Sequence, residues 1–417
     1  MKVIMSAYSC GPNEGSEAGL SWNWAMQMSR FHEVWVITRG NRRKAAIEAY
    51  IASNPLPNIH FVYCDLPKKY LFWKSGEWGT NIYYGLWQFL AYRLAKELVA
   101  ENDIDLAHHV SFMSLARGSF VPFLGIPSII GPVGGLQNVP SPMMPLIKKR
   151  FRERVRNLAV ESIRFNPVVR ACCRRASLII LANSSGADII ERLTDGKLMV
   201  GLQIGTNELP PNNSSESDPN RVTADGVAPR PINFSWSGRL VDHKGFELLI
   251  RGLESLHRRY EVSLNDLQIV VSGKGEEKDY YQSEIEKFGL QDYFDFKGWL
   301  SYDEMEAQWQ AADALIFTSM RETTGMALQE AMMRGVPPIV VDHGGPKEMV
   351  TPEVGIKIAV APLEVMADQL ADAMHTFISD EMVRKEMGRK VHLRAKEHYS
   401  WQAVGEQMND VYQSVVS

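Results

Sequence analysis

The sequence predicts an α/β protein built on two doubly wound parallel sheets. Three observations carry that expectation. Short apolar runs alternate with longer amphipathic stretches, the alternation breaks once and then resumes, and 417 residues suffice for two or three separate cores. In the first stretch, Val3–Tyr8, Val34–Thr38, Ile59–Tyr63, Ile104–His108, Ser128–Ile130 and Leu178–Ala182 read as buried parallel strands. Helical periodicity fills the intervals at Glu17–Arg30, Arg42–Ser53 and Asn81–Ala100.

The break is Leu209–Pro231, rich in Pro, Ser, Asn and Asp and without apolar period, which reads as a linker or exposed loop. Strand signals return at Ile232–Trp236, Gln268–Ser272, Tyr293–Phe296, Ala314–Phe317 and Pro338–Val341, and Val365–Ser417 is helical throughout. The expected division is a first domain over 1–207, a linker over 208–231 and a second domain over 232–385. Helices over 386–417 are expected to return towards the first domain. Ligands of such sheets bind beyond the carboxyl ends of the strands, so the chemistry is sought there.

The overall charge of −4 argues against a nucleic-acid partner. It conceals an asymmetry: residues 1–207 hold 24 Lys/Arg and 15 Asp/Glu, the remainder 21 and 34. The halves therefore suit different partners. Cys10, Cys64, Cys172 and Cys173 have no metal or disulfide spacing, which fits a reducing compartment. The opening residues lack the apolar core of a signal peptide, and no run approaches 18 apolar residues. A cytoplasmic protein is expected, peripheral at the inner face of the cell membrane.

The segment of greatest chemical interest runs from Phe317 to Pro337. A strand ends at Phe317, a loop carries Glu322, and a helix is expected from Thr323 or Thr324 to Gly335. Free N–H groups at that helix start, with Thr323, Thr324, Gly325 and Met326, would seat a diphosphate. Glu330 follows roughly 10 Å further along the axis, at 1.5 Å per residue. That span could fit a sugar near Glu322 and a ribose near Glu330. The plainer reading, two solvated helix glutamates, is weakened by this strand–loop–helix context.

These residues resemble the E-x7-E signature of retaining glycosyltransferases of the large GT4 family. Other stretches agree in order: Ser237–Gly245, with Gly238, Arg239 and Lys244, resembles the family's G-R-L-x-x-x-K-G loop. Gly273 and Gly275 resemble its glycine turn, Gly298-Trp299 its base loop, and Gly15-Ser16 and Gly134-Gly135 its first-domain loops. The resemblance implies the GT-B architecture, two Rossmann-like domains facing across a cleft. It also implies a nucleoside-diphosphate sugar as substrate, with no cofactor and no metal. Arg239 and Lys244 would neutralise the leaving diphosphate. His108 or His109, adjacent on a strand and so on opposite faces, would meet the donor sugar or acceptor. Asp103-Ile-Asp105 matches a metal-binding D-x-D pattern, but it precedes a strand instead of following one. Two departures stand out: Glu322 is followed by Thr-Thr-Gly, and Asn207 by a long hinge.

Residues 147–156 hold six Lys/Arg and one Glu, with Arg164, Arg170, Arg174 and Arg175 beyond and Tyr70, Phe72, Trp73 and Trp78 earlier. Lys148, Lys149 and Arg150 are accordingly expected to touch an anionic membrane or a lipid-linked or glycan acceptor. The expected reaction is hexosyl transfer to a hydroxyl with retention, in polysaccharide or glycolipid assembly. A GT-B-like sugar-nucleotide 2-epimerase, a nicotinamide-dependent oxidoreductase and a non-catalytic sugar-binding module are the alternatives. The oxidoreductase is weakened because Ser9–Gly15 breaks the G-x-G-x-x-G spacing.

Overall fold

A computed structural model describes residues 1–41, 43–67, 79–111, 114–195, 197–201, 204–211 and 230–417. Tyr70, Phe72, Trp73 and Trp78, and most of the expected linker, lie outside the described residues.

The chain forms two compact units. The first comprises residues 1–136, 158–205 and 401–417, the second residues 137–157 and 206–400. The second unit thus includes 137–157, which the sequence places in the first domain, and the final helix Trp401–Val416 belongs to the first.

In the first unit the strands are β1 (Lys2–Ser6), β2 (Glu33–Thr38), β3 (Ile59–Tyr63), β4 (Leu106–His109), β5 (Ser128–Val133), β6 (Leu178–Leu181) and β7 (Leu198–Val200). They form one parallel sheet in the order β3-β2-β1-β4-β5-β6-β7. Successive side chains feed opposite faces: Val3, Met5, Val34 and Val36 enter one apolar cluster, Ile4, Trp35 and Ile37 another. Burial on both faces is why these strands read as unbroken apolar runs. The first cluster is completed by Trp401, Val404, Met408 and Tyr412 of the final helix.

The second unit repeats the plan with β8 (Ile232–Ser237), β9 (Leu267–Ser272), β10 (Phe294–Gly298), β11 (Ala314–Phe317), β12 (Pro338–Val341) and β13 (Ile356–Ile358). Their order is β10-β9-β8-β11-β12-β13, all parallel. Ala314 and Ile316 face one core, Leu315 and Phe317 the other. The two strands the sequence reading lacks, β7 and β13, are three-residue edge strands, with Ile358 of β13 the one fully buried residue between them. A short edge strand has one covered face at most, so it leaves no apolar run to read. Two doubly wound parallel sheets of this kind are the Rossmann-like pair of the GT-B class.

Candidate functional site

Because the second sheet is parallel, the loops after β8, β9, β11 and β12 all leave its carboxyl edge. Two of them touch backbone to backbone. Gly238 N–H donates to Ser272 O at 3.0 Å and Leu240 N–H to Lys274 O at 3.1 Å. A Cβ on Gly273, whose φ is +143°, would stand 1.8 Å from Gly238 O, and one on Gly275 would stand 2.1 Å from Leu240 O. These glycines let one loop lie against the other, a structural duty that explains them without a ligand. Gly298 continues the contact, its carbonyl accepting from Gly273 N–H at 2.6 Å, and Trp299 beyond it is 70% exposed.

The loop after β11 docks on the loop after β8. Met320 N–H donates to His243 O at 2.9 Å, and the Thr318 hydroxyl donates to Lys244 O at 3.1 Å. This brings the Lys244 ammonium onto the Glu322 carboxylate as an ion pair. Arg239 is exposed, and among the described residues its side chain has neither ion pair nor hydrogen bond. One site cation is therefore committed to a carboxylate and the other is open to solvent.

The helix after this loop is Met326–Met333, and Gly325 is its N-cap, with φ +91°. The expectation of a start at Thr323 or Thr324 is corrected by that left-handed residue, which Gly adopts without cost and Thr does not. The first intrahelical bond is Gln329 N–H to Gly325 O. The amides left free by helix geometry are therefore those of Met326, Ala327 and Leu328, and among the described residues no side chain caps them. Thr324, 3% exposed and immediately before the N-cap Gly325, has a buried hydroxyl with no hydrogen-bond partner among the described residues. A buried lone hydroxyl beside uncapped amides suits an acceptor-rich ligand such as a phosphate. Thr323 instead donates to Gln137 Oε1 at 3.3 Å.

Glu330 is oriented by Trp309, whose indole N–H donates to its Oε2 at 3.3 Å. Burial holds this carboxyl above its ordinary value, and the indole bond partly offsets the effect. Sequence reasoning missed Trp309.

Lys148, Lys149 and Arg150 are not arranged as a membrane face. The Lys148 ammonium pairs with Glu277 and lies 3.1 Å from the Tyr280 ring centroid, and Lys149 pairs with Glu276 at 3.0 Å. Arg150 donates to the carbonyls of Pro145 and Ile147. These cations face carboxylates and carbonyls of the second unit itself, which corrects the expectation for them. Reasoning from charge density counted the bases and overlooked the acids of a distant stretch.

In the first unit, Gly15 caps the helix Ser16–Met28, which Ser16 opens. Gly134 pairs with Ser114 in an isolated bridge, and Gly135 follows it, exposed. His108 is fully buried. Its Nδ1 lies 2.6 Å from the Tyr412 hydroxyl, and its Nε2–H donates to Gly131 O at 2.8 Å. Burial pushes its pKa down to about 3. It is a core residue with both ring nitrogens engaged, so the expectation that His108 meets a substrate is corrected. His109, 5% exposed, lines a cavity of about 10 Å³ with Ser114, Gly118 and Gly131. Asp105 accepts from Lys2 N–H at 2.8 Å at the amino edge of the sheet, away from the carboxyl ends. Among the described residues, no three His, Cys, Asp or Glu side chains cluster as metal ligands, and no helix is long and apolar enough to cross a membrane.

Residues 227–394 match the family described as glycosyl transferases group 1. An uncharacterised glycosyltransferase of Methanocaldococcus jannaschii is 29% identical over 175 residues, 42% of this chain and 43% of its own length. The alpha-D-kanosaminyltransferase of Streptomyces kanamyceticus is 25% identical over 190 residues, 46% of this chain and 47% of its own. The chain thus spans less than half the length of these curated relatives. Among solved structures, HepE of Anabaena in complex with UDP superposes with a TM-score of 0.64 at 17% identity, covering 99% of this chain and 100% of that one. WaaG, involved in lipopolysaccharide biosynthesis, gives 0.57 at 17% identity, covering 98% and 99%. At such identity the likeness speaks to the fold alone.

Proposed function

We propose, from the match of residues 227–394 to the glycosyl transferases group 1 family, that this chain moves a hexosyl unit from a nucleoside-diphosphate sugar to a hydroxyl, with retention at the anomeric carbon. The observation that carries the proposal is the uncapped start of the helix Met326–Met333, with the buried, unpartnered Thr324 hydroxyl beside it. The diphosphate sits on those amides, and Arg239 supplies a mobile counter-charge. Glu322 and Lys244 exchange their mutual ion pair for the sugar hydroxyls and the phosphate. Glu330, held by Trp309, takes the ribose.

In the reaction the acceptor oxygen bonds to C1 on the face from which the phosphate departs. The C1–O bond to phosphate breaks, and its electron pair leaves with the diphosphate, whose oxygen takes the acceptor proton. Amides, Arg239 and Lys244 stabilise the charge as it grows. No protein nucleophile and no metal enters these steps. Support for a nucleotide-sugar donor also comes from a similar GDP-mannose-dependent mannosyltransferase of Corynebacterium glutamicum and from HepE of Anabaena in complex with UDP and with UDP-glucose.

We place a lipid-linked acceptor, in surface polysaccharide or glycolipid assembly, at the first unit. The support is an exposed surface where Phe165 and Val168 stand 69% and 53% exposed beside Arg170, Arg174 and Arg175. Aromatic and aliphatic side chains interleaved with arginines suit an anionic lipid surface better than a soluble anionic glycan.

The test is a thermal-shift panel of UDP-, GDP-, ADP- and TDP-sugars, followed by transfer assays with the best donor. A ligand at 100 times its Kd adds about 2.7 kcal/mol of stability. Glu322→Ala and the pair Arg239→Ala with Lys244→Ala are expected to abolish transfer in a folded protein. Wild-type turnover in either would refute the assignment. A change of sugar configuration with donor alone would favour the epimerase.

A further inference from the structure

Residues 137–157 follow β5 in the chain but are built into the second unit. Val139, Met143, Leu146 and Ile147 sit in its apolar core with Phe234, Trp236 and Phe246. From that anchorage the segment reaches each of the four loops at the carboxyl edge. On the loop after β8, Asp242 Oδ2 accepts from Lys148 N–H at 3.2 Å. On the loop after β9, Glu276 and Glu277 pair with Lys149 and Lys148. On the loop after β11, Gln137 accepts from Thr323, and Glu153 takes Arg321 on both oxygens at 2.8 and 2.6 Å. On the loop after β12, His343 Nε2–H donates to Asn138 O at 2.9 Å.

We propose that residues 137–157 act as a collar that sets the donor loops of the second unit, with Gln137 and Glu153 as its positioning residues. This rests on the donor reading above. Glu153 and Gln137 are 8% and 2% exposed, so neither contact is an incidental surface pair. Glu153 also has Arg156 Nε at 3.3 Å, and one carboxylate therefore holds two guanidinium groups. Arg321 immediately precedes Glu322. Left alone, its guanidinium would compete with Lys244 for Glu322, or would take the donor phosphate in a geometry of its own. Glu153, accepting from Arg321 Nη1 on both of its oxygens, removes it from both contests. Gln137 fixes Thr323 and so leaves the neighbouring Thr324 hydroxyl as the open one.

The experiment compares wild type, Glu153→Gln, Gln137→Ala and the swapped pair Glu153→Arg with Arg321→Glu. Circular dichroism first verifies that each is folded. Hydrogen exchange over 317–326 is read without donor, and donor KM and kcat are read with UDP-glucose or whichever sugar nucleotide binds wild type. Expected are faster exchange over 317–326 and a donor KM raised about tenfold in Glu153→Gln, with kcat within about threefold. The swapped pair should return KM to within about threefold of wild type. Unchanged exchange and KM in Glu153→Gln overturn the collar, and so does a fall in kcat as large as the rise in KM with no rescue by the swap. If wild type binds no sugar nucleotide, the donor reading falls while the exchange measurement still decides whether the collar holds the loop.

Discussion

The indole N–H of Trp309 lies 3.3 Å from Glu330 Oε2, joining a fully buried ring to the second glutamate of the site. Burial already raises the Glu330 pKa, and the indole bond lowers it. Trp309→Phe keeps the packing and deletes the donor, so the carboxyl should rise further. The acid limb of donor binding should move up with it. Because the folded value lies above the unfolded one, Glu330 favours folding when protonated, and this contribution fades as pH rises through the interval between them. Titration calorimetry across pH checks the limb, and Glu330→Gln should erase it.

His108 gives the first unit an acid sensitivity. Its folded pKa of about 3 lies well below the usual histidine value, so the unfolded chain binds more protons between those limits. Stability is therefore full above the unfolded value and is lost as pH falls towards 3. Between pH 7 and pH 5 the loss should be about 2 kcal/mol, at 1.36 kcal/mol per unit. Urea unfolding at both values measures it. His108→Gln should remove about 2 kcal/mol of the difference and leave the share of His32, whose pKa burial lowers to about 4, and Tyr412→Phe should cost about 1–3 kcal/mol by stranding Nδ1.

Two glycines of similar appearance should behave in opposite ways. Gly273→Ala drives a Cβ to 1.8 Å from Gly238 O at a positive φ, and should cost about 3 kcal/mol and donor binding with it. Gly15 has an ordinary φ of −86° and open space around a built Cβ. Gly15→Ala should leave stability within about 0.5 kcal/mol. A fall in transfer without a fall in melting temperature would identify Gly15 as a donor contact.

Vesicle binding tests the acceptor side. The inner face of the helix Pro167–Arg175 buries Val169, Cys172 and Cys173, leaving Val168, Arg170, Arg174 and Arg175 outward. Arg164 and Arg175 lie over Phe165 and Phe123 at 4.9 and 5.1 Å from the ring centroids. Replacing Arg170, Arg174 and Arg175 by Ser should weaken flotation with anionic vesicles about a hundredfold, at about 1 kcal/mol per charge. Phe165→Ser with Val168→Ser should weaken it at high salt as well. Equal binding to neutral and anionic vesicles would reject the arginines' part.

The sheets were legible because double burial writes continuous apolar runs, as in Val34–Thr38 and Ala314–Phe317. The loop segment around Glu322 was legible because its residue types are unusual together. What sequence could not reveal is pairing across long separations. Gly273 looked like a ligand turn and proves to be a loop-packing residue, a distinction that rests on the position of Gly238 O. Lys148 and Lys149 looked like free charge until Glu276 and Glu277 were placed opposite them. One signal was present: Glu153 is the lone acid among six bases, and an acid so placed invites the question of which cation it serves.

The polypeptide changes unit at 136/137, 157/158, 205/206 and 400/401. No single scission can therefore release either half as a self-sufficient fragment. A cut near residue 208 would strand 137–157 on one piece and 401–417 on the other, each severed from the partners it packs against. Anyone seeking the second unit in isolation must splice 137–157 onto 206–400, because the gene order does not supply that unit in one stretch.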